Sequence, residues 1–208
     1  MMFQINKPIT VCVLLLASIT VAANDGYKKI LKRYMSNTYS LEAKYVQTVY
    51  DKNRKKVSSS HGSMMYKRPN LFRFQDDVSH QLMVNDGAYF WQYEPDLDQV
   101  IKYKTPEKSN NGHLLYALLN DMAKIYTVFN VESSSSDNKN IKYKLTDKSD
   151  ATRSMWVRLV QGELATVEFY DPTGYFNILS FSHLRHNQDI SSKWFDFSPS
   201  PDVDVIEQ

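Results

Sequence analysis

Residues 62–74 read Gly-Ser-Met-Met-Tyr-Lys-Arg-Pro-Asn-Leu-Phe-Arg-Phe and predict two strands joined by a tight turn. Pro69 fixes its own φ and has no backbone donor, and Asn70 suits a turn. The residue before a proline favours an extended backbone, so Arg68 is expected at the rim of an apolar sheet face. From this local pattern alone, the plain interpretation is a hairpin corner with a solvated arginine.

Length and charge indicate one globular domain without a nucleic-acid partner. The chain has 208 residues, enough to bury a core, and a formal net charge of +2. The densest basic run is Lys-Asn-Arg-Lys-Lys at 52–56, between two strand-like segments. We interpret this run as a solvated loop, and the alternative is a patch that faces a membrane or a partner.

The first 23 residues have the features of a signal peptide. Lys7 supplies a positive charge, residues 9–21 are apolar, and Val-Ala-Ala at 21–23 suits cleavage. This predicts export and a single mature domain over 24–208. An uncleaved anchor is the alternative, which the short apolar run disfavours. Cys12, the only cysteine, lies in the apolar run, so we expect no disulfide, thiol or lipid anchor in the mature protein.

Hydrophobic periodicity predicts a mainly β protein with two helices. Residues 24–40 carry apolar side chains at helical spacing, which predicts an N-terminal helix that packs on a sheet. A leucine-rich helix is predicted over 112–124, laid across the open face of that sheet. Between and after these helices the period is two, and the connecting turns are short.

The strand pattern predicts about eleven antiparallel strands. That many strands in one small domain should curl into a barrel or half-barrel. The strand-like segments are 43–50, 62–67, 71–75, 81–84, 88–93, 99–103, 126–131, 141–145, 154–159, 164–170, 175–184 and 194–197.

No motif points to catalysis, a metal or a cofactor, so we predict a protein that is not an enzyme. None of the five histidines lies in an H-E-x-x-H pattern, and there is no G-x-S-x-G motif. His183 and His186 would lie on opposite faces of a strand. The carboxylate pairs Asp96/Asp98 and Asp202/Asp204 lie in turn-like or terminal segments, where solvated side chains are the simpler interpretation.

Apolar and aromatic side chains are the distinctive content of the chain. It has 10 Phe, 14 Tyr, 3 Trp and 8 Met, which make adaptable surfaces for apolar ligands. An ordinary β core is the simpler interpretation of composition alone. A curved sheet with a leucine-rich helix across its mouth favours a cavity for an apolar ligand.

The ordered motifs resemble the outer-membrane lipoprotein carrier protein (LolA) family of the periplasm. The resemblance covers nearly all of 24–208 and is most specific between residues 62 and 100. Three positions depart from the family pattern: Phe74 replaces a tryptophan, Gly112-His113 stands where a proline is frequent, and Asp202 replaces a frequent glycine. The matching segments are Ala-Lys-Tyr-Val-Gln at 43–47, the stretch 62–74, 82–87, Phe-Trp-Gln-Tyr at 90–93, 96–100, Asp171-x-x-Gly174, 195–199 and 203–206.

This resemblance implies an unclosed antiparallel β-barrel covered by the N-terminal helix and short lid helices. It implies a monomeric periplasmic chaperone of Gram-negative bacteria, which takes acylated lipoproteins from an inner-membrane ABC transporter to an outer-membrane receptor. Arg68 is implied as a polar latch that bonds to lid-helix backbone when the cavity is empty. The implied acyl-chain cavity is lined by Met64, Tyr66, Phe72, Phe74, Trp91, Tyr93, Leu114, Leu115, Leu118 and Met122.

Three alternatives stay open from the sequence. The first is the outer-membrane lipoprotein receptor of the same fold, which the missing acylation cysteine disfavours. The second is a periplasmic hydrolase that modifies lipids, for which no triad, metal set or thiol is seen. The third is a β-domain that senses lipid or the state of the envelope.

Overall fold

A computed structural model describes residues 15–104, 117–119, 122–137 and 139–208. Helix α1 spans Leu15–Asn37, residues 117–119 are helical, a 3-10 turn spans Met122–Lys124, and the short helix α2 spans Ile125–Val128. Two further 3-10 turns span Pro95–Leu97 and Ser192–Phe195. No helix within the described ranges is long and apolar enough to cross a membrane.

Twelve strands form one sheet. In chain order they are β1 Ser40–Tyr50, β2 Lys56–Lys67, β3 Leu71–Asp76, β4 Leu82–Asn85, β5 Tyr89–Glu94, β6 Gln99–Lys104, β7 Phe129–Asp137, β8 Asn140–Asp147, β9 Ser154–Val160, β10 Glu163–Tyr170, β11 Phe176–His186 and β12 Asp204–Glu207.

The strand order is β12-β6-β5-β4-β3-β2-β1-β11-β10-β9-β8-β7. Strands β1 to β6 and strands β7 to β11 therefore form two antiparallel runs in which each strand pairs with the next one in the chain. The two runs are joined where the long strands β1 and β11 pair. The ends of the order, β7 and β12, do not pair with each other, so the sheet is curled and unclosed as predicted. The sheet is antiparallel except where β12 runs parallel to β6.

The C-terminal segment differs from its sequence prediction. The predicted strand at 194–197 is the 3-10 turn Ser192–Phe195, in which Phe195 is buried. The twelfth strand instead follows at Asp204–Glu207, where it pairs with the edge of β6. Apolar residues at 194–197 suit either conformation locally. The strand at 204–207 depends on its partner β6, about a hundred residues earlier in the chain, which no local pattern contains.

Both helical regions differ from prediction at their boundaries. The N-terminal helix begins at Leu15 rather than 24 and ends at Asn37, because alanine and leucine before residue 24 are themselves good helix formers. The strand predicted over 126–131 begins only at Phe129, after the helical turn Ile125–Val128. The β-branched and aromatic residues there favoured a strand, but Ile125 is buried in a helical turn instead.

The sheet has two unlike faces. The inner face contacts α1 and the helical residues 117–119 and 122–128, and its side chains form the hydrophobic core. The outer face is partly covered by the C-terminal segment. Leu82, Val84 and Val100 are buried on that face, and the 3-10 turn Ser192–Phe195 contacts β3. Alternation along the strands separates the two sets, most regularly in β3, β8 and β9.

Candidate functional site

The stretch 62–74 supplies four large side chains to the inner face. Met64 pairs with Phe74 and Tyr66 pairs with Phe72 across β2 and β3, and all four are at most 3% exposed. Their rings continue into the neighbouring strands. Phe74 lies 5.5 Å from Tyr45, measured between ring centroids, and Phe72 lies 5.8 Å from Phe90. These four predicted cavity residues are therefore adjacent on one apolar surface.

The opposite half of the inner face is equally apolar. Strands β8 and β9 alternate between buried and half-buried side chains along most of their length. The cross-strand register then places each buried residue of β8 beside one of β9. This wall is formed by Ile141, Tyr143, Leu145, Met155, Val157 and Leu159.

Helical segments cover this apolar surface. Leu31 and Met35 of α1 are buried against it, as are Leu118 and Met122 of the central helical region. Leu118 and Met122, two of the predicted cavity residues, therefore lie against the apolar inner face. Leu114 and Leu115 lie outside the described residues. The sequence periodicity of the N-terminal helix predicted the buried stripe that α1 presents.

Arg68 bonds to the last carbonyls of α1. Its Nη2 lies 3.2 Å from the carbonyl oxygen of Met35, 2.8 Å from that of Ser36 and 3.1 Å from that of Thr38. A helix C-terminus leaves its final carbonyls without helical partners and carries partial negative charge. The guanidinium of Arg68 donates hydrogen bonds to these carbonyls and places a positive charge beside the partial negative charge of the helix end. Its partners lie at the C-terminal end of the N-terminal helix and just after it, whereas the resemblance implied bonds to the backbone of a separate lid helix, so this part of the prediction is corrected.

The connection after β11 holds the same helix end. The Nδ2 group of Asn187 donates to the carbonyl of Asn37 at 3.1 Å, and its Oδ1 accepts from the backbone of Tyr39 at 2.8 Å. Asn187 has a φ of 56°, a left-handed conformation that asparagine tolerates better than most residues. Sequence reasoning missed this residue, because its partners are about 150 positions away.

Two tyrosines, Tyr143 of β8 and Tyr126 of the short helix α2, bond to the middle of α1. The hydroxyl of Tyr143 donates to the carbonyl of Tyr27 at 2.9 Å, and that of Tyr126 donates to the carbonyl of Lys28 at 2.7 Å. Burial raises the pKa of Tyr126 to about 12 and raises the pKa of Tyr143 further. Both hydroxyls therefore stay protonated and remain donors at neutral pH. The helix is held by a few polar bonds around an apolar contact.

Trp91 and Tyr93 lie on the other side of the sheet. Trp91 pairs with Val84 and neighbours Lys102, so it shares their outer face. Both rings contact Phe197, at 5.6 Å from Trp91 and 6.3 Å from Tyr93. Phe90, which precedes Trp91 in the chain, points to the inner face instead and is buried beside Phe72. The sequence placed the pair correctly on one face but assigned that face to the cavity.

Several inner-face residues were missed from the sequence. The signal that would have found them is the alternation of β8 and β9, where every second residue is apolar. Phe90 would follow from extending the face of Phe72 and Phe74 across the hairpin at 85–88. Leu41 and Tyr103 would follow in the same way.

A small cavity remains at one edge of the inner face. It measures about 80 Å³ and is lined by Tyr45, Phe74, Met83 and Gln92, among others. That volume has room for only a few water-sized molecules.

The chemistry of the described residues is that of apolar binding. Within the described ranges, no three His, Cys, Asp or Glu side chains gather where they could hold a metal ion. His186 lies 2.6 Å from Glu163, while His183 contacts the hydroxyl of Ser182. The inner face thus offers hydrophobic contact, and the polar groups around it hold the cover.

Comparison with known proteins agrees with this arrangement. Residues 36–198 match the family model described as Outer membrane lipoprotein carrier protein LolA. An outer-membrane lipoprotein carrier protein of Nitrosospira multiformis is 30% identical over 197 residues, which is 94% of each chain. One from Legionella pneumophila is 32% identical over 183 residues, covering 86% of this chain and 89% of that one.

A solved structure supports the fold independently. A conserved protein from Thermus thermophilus superposes with a TM-score of 0.51 at 14% identity, over 88% of this chain and 99% of that one. The family match spans the strands, the Arg68 corner and the 3-10 turn at Ser192–Phe195. This chain belongs to the outer membrane lipoprotein carrier protein LolA family.

Proposed function

We propose that this protein is a monomeric periplasmic carrier that shields the acyl chains of lipoproteins between two membranes. It takes them from an inner-membrane ABC transporter and delivers them to an outer-membrane receptor. The observation that carries the proposal is the apolar inner face, covered by α1, whose C-terminal carbonyls are bonded by Arg68. The names of the relatives and the export signal support the same role.

Acyl chains can supply the free energy to move the cover. Each buried methylene contributes about 0.8 kcal/mol, so about ten contribute roughly 8 kcal/mol. A hydrogen bond to a charged group contributes about 1.5–3 kcal/mol, so the bonds from Arg68 are worth a few kcal/mol. Cargo therefore outweighs the polar bonds that close the cover, yet those bonds reduce the net affinity enough to permit release.

The competition between Arg68 and cargo sets that balance. In the empty protein the guanidinium holds the C-terminal end of α1 against the corner at 68–70. In the loaded protein the cover is displaced and those bonds are lost. Closure of the empty protein thus favours transfer to the receptor, because the carrier regains these bonds as the acyl chains leave.

The test is release of newly acylated lipoprotein from spheroplasts by the purified protein. We expect a soluble complex of one carrier and one lipoprotein, measured by gel filtration. The matched control is the same lipoprotein with its acylated cysteine replaced by serine, which should not form the complex. Failure to release the acylated form, or equal binding of the form without acyl chains, would overturn the proposal.

A further inference from the structure

One end of the sheet carries an aromatic cluster on the outer face, away from the cavity. Trp156 lies 6.3 Å from Tyr170 and 6.4 Å from Phe176, and those two rings are 5.0 Å apart. Tyr170 is 45% exposed and the neighbouring Tyr175 is 39% exposed. The carrier role makes no use of this cluster.

Three connections lie at the same end, and two of them carry cations. They are the loop after β1 at 51–55, the loop after β8 at 148–153 and the turn after β10 at 171–175. Residues 51–56, 148–153 and 171–175 hold six lysines and arginines against three aspartates. The basic run at 52–56 is exposed in the structure; from the sequence we interpreted it as a solvated loop, with a patch that faces a membrane or a partner as the alternative. The residues that folding brings next to this run indicate a role for it beyond that of a solvated loop.

The basic loop is attached to the aromatic cluster. The guanidinium of Arg54 lies 4.6 Å from the ring centroid of Phe176, and its Nη2 donates to the hydroxyl of Tyr170 at 3.1 Å. Lys52 lies against the turn at Gly174, where a built Cβ would be 3.2 Å from its Cε. Cations and rings therefore form one continuous surface, which we call the basic aromatic end.

A pocket opens within this surface. It measures about 520 Å³ and is lined by Lys144, Arg153, Trp156 and Tyr170, among others. The acidic groups nearby are already engaged. Asp147 lies 3.6 Å from Arg153, and the Asp171 carboxylate accepts from the backbone and hydroxyl of Thr173. These carboxylates remain charged, but residues 51–56, 147–153 and 171–175 together hold six cations against four aspartates, so the net charge of this end is positive.

We propose that the basic aromatic end docks on a lipid bilayer that carries anionic phospholipid headgroups. Lysines near such a surface attract it electrostatically, and tryptophan and tyrosine rings prefer the headgroup level. The cations extend from two loops at one end of the sheet, and the turn at 171–175 adds the exposed ring of Tyr175 beside them, so that a flat bilayer surface can contact all three connections together. They are long, exposed side chains on loops, whereas protein interfaces concentrate their binding energy in buried, packed anchors. The inference does not depend on the carrier role, because it concerns the opposite face.

The test is cosedimentation with vesicles of phosphatidylglycerol and phosphatidylcholine, compared with vesicles of phosphatidylcholine alone. The decisive variant is K52E/K55E/K56E, all at exposed positions. We expect it to lower the apparent partition coefficient on the order of 100-fold, since each lysine contributes about fivefold near an anionic bilayer. Added salt should weaken binding of the parent protein.

The matched control is K29E/K32E/K193E, which reverses three exposed lysines elsewhere. The N-terminal apolar segment is the same in every protein compared, so its contribution cancels. A second variant, Tyr170→Ala with Tyr175→Ala, should weaken binding at constant charge. Equal binding to uncharged vesicles, an equal loss in the control, or binding of a soluble acidic polypeptide such as polyglutamate without binding of anionic vesicles would overturn the proposal.

Discussion

Replacing Arg68 by leucine removes the bonds that close α1 against the sheet while leaving the apolar contact in place. The guanidinium nitrogen Nη2 contacts three carbonyl oxygens at 2.8–3.2 Å, and its two protons can make two good bonds. Bonds to a charged group contribute about 1.5–3 kcal/mol each, and part of this returns when water reaches the freed carbonyls. We therefore expect closure to weaken by about 1.5–3 kcal/mol.

That change shifts the equilibrium between closed and open cover by about tenfold to a hundredfold. Hydrogen exchange measured by mass spectrometry should be faster by this factor in residues 26–37 and unchanged in β9. Because a weaker closed state competes less with cargo, the variant should bind lipoprotein more tightly and pass it on more slowly. The far-UV circular dichroism spectrum should not change.

Arg185→Leu is the matched control for this experiment. Arg185 is 68% exposed on the outer face and pairs with Glu42, so its loss should be nearly neutral. Unchanged exchange in α1, equal acceleration in the control, or normal transfer by the Arg68 variant would refute the reasoning. So would a general loss of structure, because Arg68 would then be needed for the fold itself.

Three further changes test the framework around this site. Gly62→Ala should lower the free energy of unfolding by about 1–3 kcal/mol in urea denaturation, because a Cβ there would lie 2.0 Å from the carbonyl oxygen of Gln75; an unchanged midpoint would contradict it. Tyr143→Phe removes the bond to the carbonyl of Tyr27 and should speed exchange in α1 by about two- to tenfold, with no effect if the bond is absent in solution. The Asp76 carboxyl is desolvated, but bonds from Ser60, Ser79 and Val78 outweigh that and lower its pKa. Its stabilising contribution should therefore be present above about pH 4 and lost as pH falls further, so Asp76→Asn should reduce the loss of stability that urea titrations record between about pH 4 and pH 2.

The inner-face residues around the Arg68 corner show how far the sequence pattern carries. Met64, Tyr66, Phe72 and Phe74 were implied as cavity residues by the family resemblance, with Phe72 and Phe74 placed on one face by a period of two, and all four are adjacent and buried in the structure. The same reasoning placed Trp91 and Tyr93 together but on the wrong side. Alternation tells which residues share a face. It does not tell which face is inside, since here the outer face is also apolar where Phe197 and the C-terminal segment cover it.

Long-range pairing was beyond the sequence for a related reason. Strand β12 pairs with β6, and Asn187 bonds to the end of α1, across about 100 and 150 residues respectively. Local propensity at those positions is weak, because the four residues of β12 are exposed and Asn187 is a single asparagine, and such residues suit many conformations. The partner supplied the preference, and the partner is known only once the sheet is assembled.

The sequence by itself determined the mainly β architecture, the amphipathic N-terminal helix, the turn at 68–70 and the family, because these depend on periodicity, turn residues and motif order. Only the tertiary structure decided what Arg68 touches and what the basic run at 52–56 adjoins. A charged side chain in a sequence carries no partner of its own. Its role is set by the carbonyls, rings and charges that folding brings within a few ångströms, and here those are the end of α1 for one cation and an aromatic cluster for the others.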